Sequence, residues 1–124
     1  MGKFISDIEY LAIPYSDGTE ELMDFRADVC DLICSDLMKQ GRLIYAPISA
    51  CHHIAKKYGL PREWEFWEFM DKEFVRICKK LIVIKLDGWE TSTGVKAEMA
   101  LADKYGIPIE YIDPTPYIEK IKSS

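Results

Sequence analysis

Residues 81–86 read LIVIKL, five apolar side chains in six, three of them β-branched. A run that is apolar on both sides of the pleat has no face to offer water, so it predicts a strand covered on both faces, as in the centre of a parallel sheet. It is far too short to span a bilayer as a helix. The segments around it alternate accordingly. EYLAIPY (9–15) reads as a buried strand. Residues 19–40 carry a helical period that stops at Gly41, RLIYAP (42–47) is a second short strand, and 49–60 fits either a loop or a short helix. Pro61 is expected to open a helix reaching about Lys80. A further helix is expected from Thr93 to Tyr105, stopped by Gly106. PIEYI (108–112) reads as a last strand, and PTPYIEKIKSS adds a short terminal helix.

This order predicts an α/β chain with a flavodoxin-like, doubly wound parallel sheet of four to five strands and helices on both faces. At 124 residues and 48% hydrophobic content it suffices for one domain with one core, spanning 1–124. Sixteen Lys and Arg against 21 Asp and Glu leave a net charge of -5, which argues against a nucleic-acid polymer or an anionic membrane as partner. The cysteines at 30, 34, 51 and 78 form no CxxC pair. With no signal-peptide pattern at the start, reduced thiols in a cytoplasm are expected.

In open parallel sheets ligands bind beyond the carboxyl ends of the strands, where strand order reverses. For an order of 2-1-3-4 the loops meeting there are PYSDGT (14–19) and DGWETSTG (87–94). Helical projection at 100° per residue then isolates three polar residues on apolar stripes. Glu98 falls among Val95, Met99, Ala102 and Tyr105, close enough to the helix start for the dipole to favour its anion. Asp71 falls between Trp64 and Trp67. Arg26 lies on the stripe of Leu22, Phe25, Val29, Leu32 and Ile33. The plain alternatives are a glutamate that bends to water, an aspartate bonded within the fold, and an arginine that packs its stem. Two inward carboxylates and one arginine together suit a site better than three coincidences.

Paired carboxylates beside a loop that can seat an anion suit glycosidic-bond chemistry. Ser92 and Gly94, at a strand-to-helix junction, supply that seat, although such residues also serve as ordinary caps. Trp89 is a candidate roof for a ring-shaped ligand. Ser49 and His52 are candidate rim residues, with a surface loop the stronger alternative. His52 and His53 are adjacent and point apart, so no metal site is expected of them. GxSxG, GxxxxGK[ST] and GxGxxG patterns are absent.

The residues Ser92-x-Gly94-x-x-x-Glu98, FMDKEF around Asp71 and the turn LAIPYS resemble the nucleoside 2-deoxyribosyltransferase superfamily, which includes 2'-deoxynucleoside 5'-phosphate N-hydrolases. The resemblance runs from EYLAIPYSDG to KYGIPIEYID and is similar in detail to a small branch of that superfamily. It implies that Glu98 is the nucleophile at C1' of a deoxyribose and that Asp71 lies near base and sugar. It further implies that Tyr15 and Ser16 line the base pocket and that Ser92 and Gly94 contact the phosphate or sugar end. Arg26 would be a charge partner for phosphate. Two departures stand out: Ala100 replaces a glycine after the nucleophile in EMALA, and GWE precedes the serine. The implied activity is that of an N-glycosidase or deoxyribosyltransferase of nucleotide metabolism, with no metal or organic cofactor, in a homo-oligomer (dimer or tetramer) where a neighbour completes the site. The alternatives are a non-catalytic nucleotide-binding module of the same fold and a purely structural oligomerisation domain.

Overall fold

A computed structural model describes residues 6–15 and 18–123. Four strands, β1 (Glu9–Ala12), β2 (Ile44–Tyr45), β3 (Lys80–Ile84) and β4 (Ile109–Ile112), form one parallel sheet in the order β2-β1-β3-β4. Five helices connect and follow them: α1 (Glu20–Lys39), α2 (Pro47–Tyr58), α3 (Trp64–Ile77), α4 (Thr93–Tyr105) and α5 (Thr115–Lys122). The expected α/β class and strand order are thus observed, with four strands among the described residues.

The pleat sorts the two central strands into two cores. Leu11, Ile13, Ile82 and Ile84 face α1 and α5, meeting Val29, Ile33, Leu37, Tyr117 and Ile118. Tyr10, Ala12, Leu81 and Val83 face α3 and α4, meeting Val75, Val95, Ala102, Phe74 and Met99. Leu81 through Ile84 are fully buried, as the LIVIKL run requires. Among the described residues no helix is long and apolar enough to cross a membrane.

Helix ends follow their capping chemistry. The Thr19 side chain accepts a hydrogen bond from the Leu22 amide at 3.1 Å and starts α1. Gly106, at φ 68°, takes the left-handed conformation that ends α4. Residues 49–60, ambiguous in sequence, belong to α2, which begins with Pro47 in its first turn and ends at Gly59, φ 66°. Two boundaries differ from expectation. α3 begins at Trp64 rather than Pro61, because residues 60–63 are irregular and the Pro61 carbonyl there accepts the Trp67 indole N–H at 2.8 Å. It ends at Ile77, where Cys78 turns extended (ψ 152°) and leads into β3.

Candidate active site

The loops after β1 and β3 lie side by side because their strands are neighbours in register, Ala12 beside Val83. Arg26 of α1 ties them together. Its guanidinium donates to the Tyr15 carbonyl at 3.1 Å and to the Asp87 carbonyl at 3.2 Å. The arginine is buried, as its place on the stripe implied, yet it is not among the residues lining the cavity described next. Two of its donors are thereby engaged by backbone carbonyls on two loops.

Below these loops opens a cavity of about 640 Å³, mouth included, walled by α2, α3, the start of α4 and the end of β1. Ser92, Gly94, Glu98, Asp71 and Tyr15 all contribute to its lining. With His52, the structure therefore brings together six of the ten sequence candidates. Ser16 lies outside the described residues. Trp89 is turned away and packs on Tyr111 of β4, ring centroids 5.7 Å apart. It closes the hydrophobic edge of the sheet rather than the cavity. Ser49 also points elsewhere, its hydroxyl donating to Asp31 at 2.5 Å and lying 3.2 Å from Cys30 Sγ.

Ser92 is the N-cap of α4, its hydroxyl accepting from the Val95 amide at 3.3 Å. Gly94 follows in the first turn. A Cβ there would stand 3.7 Å from the Trp64 ring, an ordinary contact, so the glycine leaves room between helix start and indole without strain. Glu98 comes one turn later on the same face. Asp71 reaches the cavity from α3, between Trp64 and Trp67.

Glu98 and Asp71 are each only 5% exposed. Tyr10 of β1 donates its hydroxyl to Glu98 Oε2, and one oxygen of Asp71, Oδ1, is buried without any hydrogen-bond partner. Burial pushes the Glu98 carboxyl up to about 8; the Tyr10 hydrogen bond opposes this and the nearby Asp71 adds to it. Burial likewise pushes Asp71 up to about 7, against the pull of the Tyr10 hydroxyl. Glu98 was expected to be held ionised by the helix dipole. It sits beyond the first turn of α4, where that field has faded, and desolvation dominates. The two acids titrate as a pair that holds a single proton between about pH 7 and 8. The Tyr10 hydroxyl favours the charged form of both acids, so the proton belongs to the pair rather than to one residue.

Sequence reasoning had passed over Tyr10. Its signal was present, since a tyrosine in a doubly covered strand needs a partner for its hydroxyl and has the same pleat parity as Ala12. His52 was read as a rim residue on a loop; it lies on helix α2 and lines the cavity. Its ring bridges the Tyr15 hydroxyl at Nδ1 and Asp24 at Nε2, the latter at 2.9 Å. His53 is exposed. Among the described residues no three His, Cys, Asp or Glu side chains gather as metal ligands.

One family model, described as "Domain of unknown function (DUF1937)", matches residues 7–113. The chain belongs to this family. No curated protein matches it significantly. The DUF1937 span runs from just ahead of β1 through the end of β4, and so contains Tyr10, Tyr15, Asp71, Ser92, Gly94 and Glu98.

Proposed function

We propose that this DUF1937 domain cleaves or transfers at the N-glycosidic bond of a nucleoside or nucleotide, with Glu98 as nucleophile. One observation carries the reading: two buried carboxyls on neighbouring helices open into one cavity, without an ion pair to either among the described residues, and share one proton near neutral pH. A double displacement needs that division of labour, one carboxylate to attack and one carboxylic acid to protonate. The Glu98 carboxylate bonds to C1' as the C1'–N bond breaks, and the departing nitrogen takes the Asp71 proton. Water then attacks C1' and yields a proton to the Asp71 carboxylate, while the C1'–O bond breaks and restores Glu98. A second base in place of water gives transfer. Ser92 and Gly94, at the positive end of the α4 dipole, suit a phosphate or the sugar end, and the Trp64 and Trp67 rings suit a stacked base.

The resemblance also implies a homo-oligomer. The exposed apolar side chains Ile54 and Tyr58 on α2 and Phe66 and Phe69 on α3 support it. Light scattering that reports a monomer at high concentration removes that part of the reading.

The decisive experiment incubates the protein with 2'-deoxynucleosides and their 5'-monophosphates and follows free base. Release that vanishes in Glu98→Gln is the expected result. Equal release from wild type and variant overturns the nucleophile. Thermal stabilisation by several nucleotides without any release favours the non-catalytic binding module, in which a protonated Glu98 serves as a hydrogen-bond donor.

A further inference from the structure

A second polar chain enters the same cavity from the opposite wall. Tyr15, after β1, meets His52 Nδ1 through its hydroxyl, the two rings edge to face with centroids 5.4 Å apart. His52 Nε2 meets Asp24 Oδ1 at 2.9 Å, and Lys56 Nζ donates to Asp24 Oδ2 at 2.8 Å. These residues come from three segments: the loop after β1, α1 and α2.

Proton positions along the chain follow from its end. The Lys56 hydrogen bond holds Asp24 below the usual carboxylate range, so Asp24 can only accept. His52 Nε2 must then carry the hydrogen, and in a neutral imidazole Nδ1 is left as an acceptor. Burial raises the Tyr15 hydroxyl above its ordinary value, so it keeps its proton and donates it to Nδ1. The consequence for a ligand is definite. Tyr15 has no hydrogen left to give and presents only lone pairs. The neighbouring Trp67 indole N–H is committed to the Pro61 carbonyl. Arg62, exposed at the mouth and lining the cavity beside Tyr15, is a donor with no acceptor capacity.

We infer that the Tyr15–His52–Asp24 chain selects ligands whose ring carries an exocyclic amino group next to an acceptor nitrogen, a 6-aminopurine or 4-aminopyrimidine, over the 6-oxo or 4-oxo counterparts. The amino group donates to Tyr15 and the ring nitrogen accepts from Arg62. An oxo group in that place sets one lone pair against another. The inference rests on the nucleoside reading above and names its substrate class. Hydrogen-bond polarity discriminates far better than shape, because the wrong partner leaves buried groups unpaired. At this half-open wall the preference is expected to be about tenfold or more.

The test compares 2'-deoxyadenosine with 2'-deoxyinosine, each also as its 5'-monophosphate, at about pH 8, above the ordinary imidazole range. Where the wild type releases base, the ratio of kcat/KM is read; where it does not, the ratio of Kd is read by calorimetry. The amino ligand should be preferred, and Tyr15→Phe, which keeps the ring, should bring the ratio close to one. His52→Ala, which frees the Tyr15 O–H to donate, should do the same or reverse it. Equal handling of both ligands by wild type, or a preference that survives Tyr15→Phe, overturns the inference while base release or binding leaves the nucleoside reading standing. Neither binding nor release of any of these ligands overturns both.

Discussion

The two ends of the sheet treat their acids in opposite ways. At the amino end, Glu9 of β1 is buried and Arg42 meets it through Nε at 3.1 Å and a terminal nitrogen at 2.5 Å. The same guanidinium reaches Glu110 of β4 at 2.8 Å, and Lys80 of β3 reaches it at 3.0 Å. Although burial opposes it, these two cations hold Glu110 below the usual carboxylate range, and Glu9 chiefly holds Arg42 above its own. At the carboxyl end, Asp71 and Glu98 are as buried as Glu9; the Tyr10 hydroxyl favours their charged forms, but burial outweighs it and both are pushed up. Burial alone therefore does not distinguish a structural acid from a reactive one; the partner does. Paired acids fasten β1, β2, β3 and β4 together. Acids buried without such cations titrate near neutral pH, as the proposed chemistry needs.

Four outcomes break or sharpen that contrast. The largest is expected for Glu98→Gln, which should lower base release by about a thousandfold or more while leaving the melting temperature undiminished. A fall in stability with turnover intact would return Glu98 to a structural role. Next, Arg42→Ala should destabilise the fold by roughly 3 kcal/mol in denaturant titration, since it strands the buried Glu9, with the pH profile of catalysis unmoved. An unchanged midpoint would show that the amino end is not what it is taken for here. Asp71→Asn should reduce kcat by about a hundredfold and remove the alkaline limb of a rate profile otherwise peaking between about pH 7 and 8. The smallest belongs to Tyr10→Phe. Loss of the donor that favours the Glu98 anion should move the acid limb upward, with about a tenfold loss at neutral pH.

Stability should follow pH with a sign that the two ends do not share. Glu98 and Asp71 have folded values near 8 and 7 against ordinary values of 4.5 and 3.8, so the folded chain holds more protons across that window. Their contribution is present below about pH 4 and is lost as pH rises through about 7 and 8. Glu110, held low, contributes in the opposite sense, its stabilisation fading as pH falls. Melting curves of the Glu98→Gln, Asp71→Asn double variant should therefore lose the decline that the wild type shows toward pH 8.

Much of this arrangement was legible along the chain. The inward places of Glu98 and Asp71 followed from a 3.6-residue period, and Val95, Glu98 and Ala102 are indeed the buried face of α4. Gly106 ends the helix it was expected to end. Arg26 was rightly set on the buried stripe, but its partners, two carbonyls on two separate loops, carry no sequence mark. Trp89 failed as a roof because its direction depends on Tyr111 of a strand not adjacent in the chain. His52 failed as a loop residue because SACHHIAKKY carries no side-chain cap at its start, and its helix is bounded instead by Pro47 and Gly59.

The sequence by itself determined the alternation that makes a parallel sheet and the faces of its helices, because periodicity and capping are properties of neighbouring residues. Only the tertiary structure decided who meets whom: Tyr10 with Glu98 across 88 residues of chain, Arg42 with Glu110 across 68, Tyr15 with His52 across 37. Charge state follows those meetings, since desolvation and nearby dipoles act through space and take no account of sequence distance.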